Sequence, residues 1–192
     1  MGKERRRGAV LEAAILDAAW AEMIEHGYAG MVLENVAKRA NTSRPVLSRR
    51  WPSRLKLATA ALARYMISCP IDVPDLGSVS AEMKLYLRGL ADRAKPDLIR
   101  LMFDMSVDLS EIDSNIADVR AEFVNNHLLC TILNRAIARS QVDPGRLKPR
   151  ILALPTDLVR HDVLMTLKPP TDAVIQEIVD DIFLPLVSPG RA

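Results

Sequence analysis

The chain has 192 residues, of which 49% are hydrophobic and 26% charged, and its net charge is +2. A chain of this length buries a substantial core as one domain or two small ones, and its apolar content excludes wholesale disorder. Only 4% of residues are aromatic, so Leu, Ile, Val, Ala and eight Met must fill the interior, and the absence of recurring β-branched runs of period two predicts an all-α fold.

The modest net charge conceals a division. Residues 1–68 carry 12 Lys/Arg against 6 Asp/Glu, and residues 69–192 carry 14 against 18. Any tendency to bind a polyanion is therefore concentrated in the N-terminal third. Cys69 and Cys130 do not resemble a disulfide framework, and neither a secretory apolar region nor a membrane-length apolar span is present. A cytoplasmic protein with no membrane association is expected. Cys130 falls in an apolar stripe and is expected in the core.

Taken in order, residues 3–7 (KERRR) form a basic arm without periodicity. A first helix is predicted from about Val10 to His26, with Ile15, Ala19 and Met23 in one apolar row and Leu16 and Trp20 in the next. Gly27 stands where a left-handed residue ends a helix, and Tyr28 follows as its hydrophobic contact. A second helix spans Leu33 to Ala40, where the small Ala37 and Ala40 permit close packing. Asn41 tolerates positive φ and can make the turn, and Ser43 offers an N-cap oxygen. Pro45 suits a first helical turn but disfavours helical angles at Arg44, so the third helix is predicted to begin at Pro45. Val46 and Leu47 are its apolar contacts, and Trp51-Pro52 closes it.

A fourth helix follows Ser53 and runs to about Met66. No acidic residue lies between Asn35 and Ile71, whereas Lys38, Arg39, Arg44, Arg49, Arg50, Arg54 and Lys56 all do. A tri-helical unit with an unopposed positive face predicts a DNA-binding head. The break over Cys69–Gly77 suggests two domains, a head over residues 1–68 and a body over residues 69–192.

The body reads as five further helices, for about nine in all. Val79 to Ala94 marks the first, and Pro96 separates it from a stripe of Leu98, Leu101, Met102, Met105 and Leu109. A long helix from about Asn115 to Ser140 is apolar on two sides, which predicts a central, mostly buried element. Leu147 to Leu167 follows, with a break or kink expected at Pro155. Thr171 can cap a last helix striped by Ile175, Ile178, Val179, Ile182 and Leu186, which Pro185 should bend or stop.

Ile15-Leu16-Asp17-Ala18-Ala19, Gly27-Tyr28, Val36-Ala37, Ala40, Ser43-Arg44-Pro45-Val46-Leu47 and Arg50-Trp51-Pro52-Ser53-Arg54 carry a resemblance. Residues 15–62 resemble the N-terminal domain of TetR-type (tetracycline-repressor-like) transcriptional regulators, and the region from Leu154 onward is more loosely similar to their C-terminal domains. The resemblance implies a three-helix helix-turn-helix head and a helical effector-binding and dimerisation body. It also implies a homodimer formed through the last two long helices, and release of DNA when a small effector displaces the fourth helix. Ser48, Met31 and Pro45 depart from the Tyr, Thr and Gly common in the family, two of which touch the DNA backbone. Arg44, Arg49, Arg50 and Arg54 are expected to replace part of that contact by charge.

Base readout is expected from Arg44 and Ser48, with Pro45 and Val46 against thymine methyls, Ser43 at the helix start, and Arg49, Arg50 and Arg54 on phosphate. The body has no HExxH, no Gly-rich phosphate loop and no Cys-His cluster, so neither an enzyme nor a metal or cofactor is expected. Asp157 and His161 lack a third partner for catalysis. His127 and Asn126 interrupt an apolar stripe beside Phe123. They are read either as core groups with a hydrogen-bonding partner or as polar anchors of an effector pocket walled by Met83, Tyr86, Met102, Phe103 and Met105. Asp104, Asp108 and Glu111 read as a solvated face.

The expected function is a one-component regulator, a repressor that binds a palindromic operator as a dimer and is released by a largely apolar effector. The alternatives are an effector-independent DNA-binding regulator, or a small helical enzyme or carrier.

Overall fold

The computed structural model describes residues 8–93, 96–112, 114–115, 118–119 and 127–190. The basic arm at 3–7, Phe123 and Asn126 lie outside them. The regular structure among the described residues is all helical, with no strand among them, as the composition predicts. The chain divides into two compact units, one drawn from Met1–Pro70 and Arg100–Val124, the other from Ile71–Ile99 and Asn125–Ala192.

In the first unit α1 (Gly8–Gly30) packs against α4 (Arg54–Ser68) and α2 (Leu33–Arg39), and α2 packs against α3 (Arg44–Arg50). Ile15, Ala19, Met23, Val36, Ala37, Leu47, Leu57, Ala58 and Leu62 form the interior. The alanines let the helix axes approach, and the larger side chains each contribute about 1.5–3 kcal/mol through burial. Helical structure in α1 resumes beyond the predicted stop. Gly27 breaks it with φ 74 and ψ 171, a conformation open essentially to Gly, and a last turn then brings Tyr28 into the core at 1% exposure. Ser53 caps α4 by accepting the Lys56 N–H at 3.2 Å.

Part of α6 (Pro96–Ser110), from Arg100 onward, also belongs to this unit. Leu101, Met105 and Leu109 are buried along it, while Phe103 and Val107 are exposed.

In the second unit α5 (Val79–Arg93) packs against α7 (His127–Ala138), α8 (Pro149–Thr166) and α9 (Asp172–Gln176). This corrects the expectation that the helix before Ser140 is central and buried on most of its circumference. The described part, α7, buries Leu129, Ile132, Leu133 and Ala136 but exposes His127, Cys130 and Asn134. Cys130 is thus an exposed thiol, not a core residue. The core is completed by Met83, Leu87, Val159, Val163, Val179 and Phe183.

The two prolines at which an interruption was expected both lie within helical structure. Pro155 sits buried inside an uninterrupted α8. Thr171 caps α9 through the Val174 N–H at 3.4 Å, as predicted, and α9 continues into a π-helical stretch, Glu177–Phe183. There the Leu184 N–H reaches back to the Val179 carbonyl, and a final turn, α10 (Leu184–Val187), contains Pro185. Widening the turn ahead of Pro185 accommodates a residue that clashes with the carbonyl four residues earlier.

Candidate nucleic-acid interface

Asn41 adopts φ 56 and turns the chain from α2 toward α3, as its tolerance of the left-handed region predicts. Ser43 is extended, with φ −118 and ψ 151, but its side chain makes no cap hydrogen bond. α3 starts one residue earlier than predicted, at Arg44, because Pro45 still falls within the first turn, where no intrahelical N–H is required. The helix is anchored by Leu47, 1% exposed, and ends where the Trp51 N–H meets the Leu47 carbonyl at 2.8 Å.

Arg44, Pro45, Ser48 and Arg49 are exposed, at helical spacing, on the side away from Leu47; Ser43 is exposed ahead of them and Val46 is half-buried. α3 therefore presents two guanidinium groups, a hydroxyl and a short apolar surface together, the chemistry needed to read base edges and bind phosphate.

Three of the arginines, Arg44, Arg50 and Arg54, also make contacts within the fold. Arg44 donates to Glu34 of α2, with both side chains more than half exposed. Arg50 donates to Glu12 of α1 at 2.7 Å, linking the end of α3 to the first helix. Arg54 is turned inward. Its guanidinium lies 4.6 Å from the centre of the Tyr28 ring and donates to the Ala29 carbonyl at 3.2 Å and to Asp108 at 3.3 Å.

Asp108 also accepts the Tyr28 hydroxyl. The Tyr28 and Arg54 contacts hold its carboxyl below the ordinary carboxylate range, against the opposing effect of burial. Burial pushes the Tyr28 hydroxyl up to about 12, and the Asp108 hydrogen bond adds to that shift. Asp108 is thus part of a clasp, which corrects the reading of Asp104, Asp108 and Glu111 as a uniformly solvated face. Asp104 and Glu111 are exposed.

A second group was hidden from sequence reasoning. Glu22, 1% exposed, accepts Asn35 Nδ2 at 2.9 Å and Arg39 Nη2 at 3.3 Å. Arg39 also donates to Glu25 at 2.6 Å. A carboxylate of α1 therefore holds two residues of α2, fixing the helix that precedes the turn. The available signal was a Glu beside Met23 within the apolar stripe, where a charge must find partners.

The residues expected around an effector fall in different parts of the chain. Met83 and Tyr86 belong to the core of the second unit. On the part of α6 in the first unit, Met105 is buried, Met102 half-buried and Phe103 50% exposed. His127 opens α7 with an exposed side chain, and so is not the buried core histidine considered from sequence. Asp157 pairs with Arg160, and His161 is exposed. No helix among the described residues is long and apolar enough to cross a membrane.

A short α2–turn–α3 unit held on α1 and presenting a cationic helix face defines a helix-turn-helix DNA-binding protein. Residues 15–61 match the bacterial regulatory proteins of the tetR family, and residues 73–182 match the tetracyclin repressor-like C-terminal domain. The chain belongs to the TetR family of transcriptional regulators, a family of DNA-binding regulators and not of enzymes.

Along nearly its whole length the chain is similar to the DNA-binding transcriptional repressor TetR of Mycobacteroides abscessus, with 27% identity over 96% of this chain and 97% of that protein. It is 31% identical to the regulator AqdR of Rhodococcus erythropolis over 71% of this chain and 66% of that one. In fold it is similar to a solved TetR family transcription regulator, SCO0332, with a TM-score of 0.70 at 22% identity, over 93% of this chain and 99% of the other.

Proposed function

We propose that this regulator is a one-component repressor that acts in the cytoplasm, binds a palindromic operator as a homodimer and releases it on binding a small, largely apolar effector. The observation that carries this reading is the exposed face of Arg44, Pro45, Ser48 and Arg49 on a helix anchored by Leu47. In the proposed division, residues 1–68 are the DNA-binding head and residues 69–192 the effector-binding and dimerisation domain. Arg44 and Ser48 read bases, Pro45 and Val46 meet thymine methyls, and Ser43, Arg49, Arg50 and Arg54 serve the backbone.

Two copies of α3 would enter successive major grooves, so the operator mirrors the two-fold axis of the dimer. The proposed dimer face lies on the last two long helices. Leu164, Met165 and Leu186 leave 42%, 68% and 41% of their surface exposed in one protomer, and pairing would cover such side chains. For the effector, Met83, Tyr86, Met102, Phe103, Met105 and His127 are the proposed contacts among the described residues. An effector that prefers the DNA-incompetent form lowers operator affinity by that preference.

Native mass spectrometry of the purified protein reports subunit number and retained ligand together, and footprinting on selected duplexes reports the symmetry of the protected site. Dimers, two-fold protection and a retained small molecule that weakens protection are expected. A monomer at micromolar concentration, or asymmetric protection, overturns the dimeric reading. Undiminished protection with every retained or added ligand leaves the effector-independent regulator as the correct reading.

A further inference from the structure

Arg54 stands at the first turn of α4, close in sequence to Arg49 and Arg50, yet its charge is directed inward. Three acceptors of the fold hold its guanidinium: the Tyr28 ring face, the Ala29 carbonyl and the Asp108 carboxylate of α6. Arg54 and Asp108 nevertheless keep 39% and 31% of their side chains exposed, so the pair lies at the surface and is open to exchange with an outside anion. A guanidinium forks onto a carboxylate and onto a phosphate with the same donors. Asp108 is itself held by a second donor, the buried Tyr28 hydroxyl. Because that donor comes from α1, Asp108 remains placed against Arg54 through contact with the rigid interior of the head.

We propose that Asp108 is an internal substitute for a DNA phosphate, an autoinhibitory latch that keeps Arg54 off the duplex until the carboxylate is withdrawn. The inference rests on the reading above that Arg54 serves the DNA backbone. In the latched form the head binds DNA through the exposed arginines of α3. When the α6 turn carrying Asp108 moves away, one further cation becomes available and affinity and salt dependence rise together. The latch thus links the position of α6 to the number of phosphates neutralised, without any change in base readout.

The test uses the full chain and a fluorescein-labelled duplex of random sequence, with anisotropy measured across a salt series. Asp108→Asn removes the charge but keeps an acceptor for Tyr28. It should bind about threefold to tenfold more tightly at low salt, and its plot of log affinity against log salt should steepen by about 0.9, the contribution of one phosphate. Asp108→Ser carries the same expectation, and a cooperative thermal melt establishes that each variant is folded. Adding Arg54→Gln to Asp108→Asn should abolish the gain in both affinity and slope.

An unchanged or shallower slope in both folded Asp108 variants overturns the latch. So does a gain that survives in the double variant, because the added affinity would then not pass through Arg54. If the wild type shows no salt-dependent binding to the duplex, the DNA-facing assignment of these arginines fails and the latch falls with it. Normal wild-type binding with unaltered Asp108 variants refutes the latch alone.

Discussion

Glu82, wholly buried in α5, accepts a hydrogen bond of 2.9 Å from Arg139, just past the end of α7. The same oxygen, Oε1, accepts the Leu76 N–H at 3.1 Å, and the other, Oε2, faces Arg135 at 3.4 Å. Arg135 in turn donates to the Val73 carbonyl at 3.1 Å, and Arg139 to Asp75. One carboxylate therefore holds the irregular segment before α5 against the end of α7, with its charge offset by two guanidinium groups. Gln141 reinforces the junction by accepting the Val79 N–H and donating to the Gly77 carbonyl, each at 3.0 Å.

Removing a buried charge strands its partners. Breaking a buried pair costs about 3–5 kcal/mol, less where the remaining cation can reach water. Arg135 and Arg139 are 29% and 23% exposed, so Glu82→Ala is expected to destabilise the chain by about 2–3 kcal/mol, and Glu82→Gln by less. Urea unfolding measures the difference, and a loss near zero would show that the two arginines rehydrate freely.

Gly27 offers a second test, because its cost is confined to the backbone. At φ 74 and ψ 171 an L-residue is strained, whereas a Cβ there would meet only Asp104 Oδ2, at 4.0 Å. Gly27→Ala should lower stability by about 1–3 kcal/mol through that strain. Thermal melts of the two proteins check it; equal midpoints would mean the last turn of α1 relaxes without loss.

Acid sensitivity can be assigned to a particular carboxylate. Burial raises the Asp180 carboxyl, but Lys84 at 2.6 Å and the Ser80 hydroxyl at 2.6 Å outweigh it and leave the group below its ordinary value of 3.8. A lowered folded value means that the unfolded chain takes up the proton first. This contribution to stability is therefore complete above the ordinary aspartate value and is lost as pH falls from there through the folded value. Asp180→Asn should lower stability at neutral pH and flatten the acid limb below about pH 4, as followed by denaturant titrations at several pH values. Parallel acid limbs in the two proteins would refute the assignment.

On the DNA side, Arg49 and Arg50 should differ despite being neighbours. Arg49→Ala should reduce the salt slope by about 0.9, with little effect on folding. Arg50→Ala should also loosen α3, because it loses the 2.7 Å link to Glu12. Binding isotherms over a salt series, paired with melts, separate the two. Identical slopes for Arg49→Ala and wild type would exclude Arg49 from phosphate contact.

The all-α fold, the helix starts near Leu33, Arg54 and Val79, the turn at Asn41 and the cap at Thr171 were legible in the sequence. Each depends on local rules: a period of 3.6, a capping hydroxyl or a residue that tolerates positive φ. The cationic surface of α3 was legible for the same reason, since seven successive residues suffice to show which side Leu47 buries and which side Arg44, Ser48 and Arg49 expose.

Local rules did not reveal which charges the fold had already neutralised. Arg54 and Arg49 look alike in a basic run, but only packing brings α6 and Asp108 to Arg54, across a separation of 54 residues. Asp108 read as part of a solvated face, and Glu22 and Glu82 went unremarked, because their partners lie on other segments of the chain. A break or kink was expected at Pro155 and a bend or stop at Pro185, because the sequence does not show how surrounding contacts sustain a helix through a lost hydrogen bond. By itself, then, the sequence determined the all-helical class, the turn and the positive sign of the α3 surface, because these follow from interactions within a few residues. Tertiary structure alone decided which arginines are paired within the fold and which acids are buried, because a charge is settled by whatever distant segment comes within hydrogen-bonding reach.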